Sequence, residues 1–189
     1  MPAMRVCRSA LAAVLLTFAA WPAAAQPRTA FPDKRGFALS DFPRLVTLAE
    51  NVYGYEEIRV PGFTTVSLIV VGADGVLVVD GQGSVAATQT LLDKVKSITS
   101  KPLRWYVVGS DHGDHTGGNS VLPADVTYVI HPTSRAQMER DAATVMGQNL
   151  KSAAEALTKG ATPPAPRPPV VVPPTAMTGE RQTIDVGGI

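Results

Sequence analysis

Cysteine is all but missing from this chain: among 189 residues only Cys7 is present, which excludes a disulfide framework and a cysteine-built zinc site. Charge is scarce too. Charged residues make up 17% of the chain, and 17 Lys plus Arg against 16 Asp plus Glu leave a formal +1. No broad basic field exists to hold a nucleic acid backbone by counterion release, so nucleic-acid binding is excluded as a partner class. No long block of like charge occurs, and with 45% hydrophobic residues the composition is that of a folded chain rather than a disordered one. A long apolar run is also lacking. The run Ala10 to Ala20, closed by Pro22, is shorter than the roughly 20 residues a bilayer-spanning helix needs.

That run has a different reading. Arg5 and Arg8 precede it, and Ala23-Ala24-Ala25 supplies small residues before Gln26, the layout of a secretory signal peptide cleaved after residue 25. Export to the periplasm or outside the cell is therefore expected, with no membrane association after cleavage. Removing residues 1–25 takes Arg5, Arg8 and Cys7 away and leaves 15 basic against 16 acidic groups. Any metal in the mature chain must then be held by histidine and carboxylate.

Residues 26–43 are polar and carry proline without an apolar period, and read as a flexible leader. Short β-branched stretches around Val46, Val52 and Ile58, broken by Glu50-Asn51, Gly54 and Pro61-Gly62, predict a strand meander. Thr64 to Val71, the turn Gly72-Ala73-Asp74-Gly75 and Val76 to Val79 predict a hairpin that ends on Asp80. Val85, Leu91, Leu92, Val95 and Ile98 have the spacing of an amphipathic helix over 84–98. Strands are expected at 103–108 and 126–130, and a helix, or two short ones, over 132–159 with Pro132 in its first turn and Gly160 as its stop. Seven prolines between Ala161 and Thr175 predict an extended linker or exposed loop over 161–175. Residues 182–186 begin to read as a strand just before the chain ends, as a fragment would.

Two of the three histidines lie in Ser110-Asp111-His112-Gly113-Asp114-His115-Thr116-Gly117-Gly118-Asn119, directly after a predicted buried strand. A carboxylate flanked at one and two residues by imidazoles, on a loop with three glycines that permit tight paths, can converge oxygen and nitrogen ligands on a divalent ion, zinc above all. The same residue types also make an ordinary polar turn. His131, just before Pro132, reads as a helix cap. No Gly-x-Ser-x-Gly elbow surrounds Ser110, and Gly81-Gln82-Gly83 completes no dinucleotide fingerprint.

His112, Asp114, His115, Gly117 and Gly118, together with the upstream hairpin ending in Asp80 and its following helix, resemble the His-x-His-x-Asp-His-x-Gly-Gly signature and its setting in the metallo-β-lactamase-fold hydrolases. The resemblance covers about Val46 to Ile130 and extends weakly beyond. It implies an α/β fold, the αβ/βα sandwich of two mixed sheets, present here as an N-terminal half plus the start of the second half, over 44–189. It further implies one or two zinc ions in a full-length form, with His112, Asp114 and His115 as metal ligands, Asp114 also catalytic in orienting a metal-bound hydroxide, and Asp80 supporting the loop from beneath. Ser110 stands where the signature has its first histidine, so one metal position is weakened. The expected function is an exported zinc-dependent hydrolase of a small-molecule substrate, such as a β-lactam, thioester, lactone or other ester. The alternatives are a catalytically inactive binding or scaffold protein of the same fold and a non-functional fragment.

Overall fold

A computed structural model of the chain describes residues 29–60 and 62–189. The signal peptide expected over 1–25, and Cys7 with it, lies outside them. The α/β class holds. Six strands form one mixed sheet in the order β1 (Arg44–Ala49), β2 (Val52–Val60), β3 (Phe63–Val71), β4 (Val76–Val79), β5 (Leu103–Val108) and β6 (Thr127–Ile130). Pairs β1 to β4 are antiparallel, whereas β4, β5 and β6 run parallel. The described residues thus supply one sheet of the two a sandwich requires.

The change from antiparallel to parallel follows from what separates the strands. Tight turns join β1 through β4, and a parallel return needs a crossover. α1 (Val85–Ile98) provides it between β4 and β5. Ser84 caps its start by accepting from the Ala87 amide at 3.2 Å, and Thr88, Leu91, Leu92 and Val95 form its buried face. Val76, Leu77 and Val78 of β4 are buried, as in a strand covered on both faces, and Val79 at its end is half-buried. α3 (Pro132–Thr158) is one continuous helix capped by His131, whose Nδ1 accepts from the Thr133 amide at 3.2 Å. Only Met138 of α3 is buried, and it joins Tyr55, Ile69, Val78, Leu91, Tyr106 and Ile130 in the core. No helix among the described residues is long and apolar enough to cross a membrane.

Three segments depart from the sequence reading. The leader carries two 3-10 turns, Asp33–Arg35 and Leu39–Asp41. It is fastened to the sheet by Arg35, which ion-pairs with Glu56, and by Arg44 stacked 3.9 Å from the Phe37 ring centroid. A salt bridge and a cation–π contact replace the apolar periodicity that the segment lacks. Residues 161–175 have no regular structure, yet they do more than space. Asn149 grips the backbone of Arg167 through both its amide atoms, at 2.9 and 3.0 Å, Arg135 donates to the Pro173 carbonyl at 2.8 Å, and Val170 and Val172 pack on the core. Finally, residues 182–186 form no strand. The backbone there instead receives the turn between β3 and β4, the Asp74 amide donating to the Val186 carbonyl at 3.1 Å, because a turn offers only isolated amides and no ladder to extend.

Candidate functional site

The site forms where β4 and β5, parallel neighbours, both end, the rim of an α/β sheet where crevices open. Asp80 leaves β4 with φ of 61°, a left-handed conformation that aspartate tolerates better than most residues. This turn places its carboxylate under the next strand's exit. Oδ1 accepts from the Gly109 amide at 2.7 Å and the Ser110 amide at 3.1 Å. Oδ2 lies 3.1 Å from Nδ1 of His115. Asp80 therefore fixes both the start of the loop and the ring at its end.

The loop holds a single helical turn, α2 (Gly113–Thr116), preceded by His112 as its cap residue. The His112 carbonyl accepts from the His115 amide at 2.9 Å and from the Thr116 hydroxyl at 3.0 Å. Below the loop, Tyr106 of β5 is fully buried. Its hydroxyl donates to Asn119 Oδ1 at 2.7 Å and receives the Gly81 amide at 2.6 Å. The same amide also donates to the His115 carbonyl at 2.9 Å. Burial, with Asp80 nearby as a smaller cause, pushes the Tyr106 phenol well above its ordinary value of 10.0. Tyr106 is thus a neutral hydrogen-bonding post that joins the β4 exit to the loop.

The sequence-predicted site residues are brought together unequally. His115 and Asp114 meet, with Nε2 of the imidazole 3.6 Å from Oδ2 of the carboxylate, and Asp80 supports them from behind. His112 does not join them: its side chain is 80% exposed, and its nearest acid is Asp111, with Nε2 and Oδ1 3.9 Å apart. The Ser110 hydroxyl accepts from the His112 amide at 3.4 Å, a turn contact.

One participant was absent from the sequence reading. Arg59, near the end of β2, places Nη1 3.1 Å from Oδ2 of Asp114. No local pattern marks Arg59, because only the pairing of β2 with β3 and the return of the loop over Gly83 bring it near. A Cβ on Gly83 would lie 3.4 Å from both Arg59 Nε and Asp114 Cα.

Measured against a zinc ion, the donors fit at two corners and fall short at the third. Ligand distances of about 2.0–2.2 Å put adjacent corners of a tetrahedron roughly 3.3 Å apart, close to the 3.6 Å between His115 Nε2 and Asp114 Oδ2. Among the described residues, however, no three His, Cys, Asp or Glu side chains converge as a metal would require.

The chain is similar in fold to a metallo-β-lactamase from Hirschia baltica, at 20% identity and a TM-score of 0.45, over 64% of this chain and 49% of that one. It is similar also to TMB-1, at 18% identity and a TM-score of 0.45, over 52% of this chain and 47% of that one. The chain therefore spans about half the length of each. No protein-family model and no curated protein matches it.

Proposed function

We propose that this chain carries the metal-ligand loop of an exported, zinc-dependent hydrolase acting on a small-molecule substrate, with Asp114 and His115 as donors and further donors supplied from outside the described arrangement. The observation that carries this reading is the order Asp80, His115, Asp114, in which Oδ2 of Asp80 lies 3.1 Å from Nδ1 of the imidazole and leaves Nε2 facing the second carboxylate. A carboxylate accepts and cannot donate, so in the neutral ring it favours the tautomer with its proton on Nδ1, the form whose Nε2 can bind a metal. Metal-bound histidines are oriented in this way. A zinc ion held there would supply a water ionised near pH 7 and polarise the electrophile. Within the chain itself, Asp80 sets the imidazole's tautomer and direction, and Tyr106 with Asn119 holds the loop at its height. Asp114 presents a carboxylate oxygen at the mouth of the site. A β-lactam, thioester, lactone or other ester is compatible with this chemistry, since fold does not choose among them.

A second reading, a binding or scaffold protein without turnover, draws on the exposure of His112 and on the occupation of Asp114 by Arg59. Zinc analysis after dialysis of the full chain separates the two. The hydrolase reading expects no more than one zinc per chain, lost on His115→Ala and increased by Ser110→His. Zinc content that is indifferent to both substitutions would leave the binding-protein reading. Export is tested separately by intact mass, with Gln26 expected as the first residue of the mature protein.

A further inference from the structure

The end of β2 and the start of α1 enclose a depression of about 210 Å³ lined by Glu57, Arg59, Gln82, Gly83, Ser84 and Ala87. Opposite charges share it without pairing to each other. Arg59 places Nη1 on Asp114 at 3.1 Å and keeps its remaining guanidinium N–H groups. Among the described residues Glu57 pairs with no cation, its Oε2 only accepting the Tyr55 hydroxyl at 3.2 Å. Gln82, fully buried, lies beneath. Its Nε2 donates to the Ser67 hydroxyl at 2.9 Å, and its Oε1 has no hydrogen-bond partner. At the same rim α1 begins, with Ser84 taking the amides of Ala87 and Thr88 and those of Val85 and Ala86 left without an intrahelical acceptor. We propose that this depression binds a small zwitterion, a free α-amino acid of the size of glycine, alanine or serine, its carboxylate held by Arg59 and the first amides of α1 and its ammonium by Glu57 and Gln82. The inference goes beyond the hydrolase reading and needs no metal ion.

The groups around the depression sort by sign. A guanidinium and the amides of a helix start both favour a carboxylate, whereas the Glu57 carboxylate and Gln82 Oε1 are acceptors that call for N–H donors. An anion alone would be repelled by Glu57 and leave Gln82 Oε1 unmet, and a cation alone would face Arg59. A molecule that carries both charges on one carbon atom answers both sides at once. Its five to seven heavy atoms take the volume of three or four waters, roughly 90–120 Å³, so the depression also has room for a short side chain. The Arg59 side chain is 45% exposed, so solvent screens its contribution and keeps binding in the millimolar range.

The test is an amide NMR titration of the isotope-labelled full chain, free of metal, with glycine, and with acetate and glycinamide as probes of each charge alone. Glycine should shift the amides of residues 83–87 saturably, with a Kd of about 0.5–5 mM, and acetate and glycinamide should each bind at least roughly five-fold more weakly. Arg59→Gln should weaken glycine roughly three- to ten-fold while leaving glycinamide unchanged or tighter, whereas Glu57→Gln should weaken both. Ala87→Leu, which fills the depression and keeps every charge, should abolish glycine binding. Acetate or glycinamide binding as tightly as glycine, or glycine binding untouched by Glu57→Gln, would reduce the depression to a site for one charge and overturn the proposal. Absence of saturable shifts at residues 83–87 up to about 50 mM glycine overturns it as well, and neither failure bears on Asp114 and His115 as metal donors.

Discussion

Replacing Tyr106 by phenylalanine should destabilise the chain by about 2 kcal/mol, and the figure follows from which groups lose partners. Tyr106 is fully buried and Asn119 is only 2% exposed. Asn119 Nδ2 has no hydrogen-bond partner, so among the described residues the 2.7 Å bond from the tyrosine hydroxyl is the one its amide makes. Deleting that hydroxyl strands Oδ1 in a dry site, and an unsatisfied buried acceptor costs about 1–3 kcal/mol. The Gly81 amide is not stranded, because it keeps the His115 carbonyl at 2.9 Å. One orphaned acceptor therefore sets the scale, and the small void adds little. For a chain of this size, 2 kcal/mol corresponds to a midpoint lowered by roughly 4–8 °C. Thermal and urea unfolding followed by circular dichroism measure it directly. The double substitution Tyr106→Phe with Asn119→Ala should cost less than the sum of the single ones, by roughly 1 kcal/mol. Amide exchange at His115 should also quicken, since the loop loses its post. A change below about 0.5 kcal/mol with strictly additive substitutions would refute the claim that this hydroxyl holds the loop.

Two further outcomes are expected. Gly118→Ala should cost about 2–3 kcal/mol, because its Cβ would collide with the Thr88 hydroxyl and the Ser84 carbonyl. Gly113→Ala, where no heavy atom lies within 4 Å, should change the urea midpoint little, and equal effects at the two positions would contradict the packing described. Burial raises the phenols of Tyr55, Tyr106 and Tyr128, so the folded state favours their neutral form. Their contribution is complete below the unfolded value near pH 10 and is lost as pH rises beyond it toward the folded-state values. The urea midpoint should therefore fall between pH 9.5 and 11.5, less steeply in Tyr106→Phe, and a flat profile would count against this account.

Local pattern made much of the fold readable. The hairpin now seen as β3 and β4, the amphipathic helix α1, the strand β5 and the His131 cap of α3 are each written in a few neighbouring residues, because turn chemistry, side-chain period and capping act over that range. The candidate loop, too, is contiguous, so His112, Asp114 and His115 could be named together from the sequence. Their convergence could not, since the first points to solvent while the other two face each other, and a loop's side-chain directions depend on what holds its ends. Asp80 does that holding from another strand. The Arg59 to Asp114 ion pair, the Tyr106 to Asn119 bond and the attachment of the leader through Arg35 and Glu56 join residues far apart in the chain. The return of residues 161–186 onto the core and onto the β3–β4 turn does the same. Such contacts exist only once strand register and crossover have fixed which remote segments meet. The sequence alone thus determined the elements and the donor types, and tertiary structure alone decided which donors converge and which cation already occupies one of them.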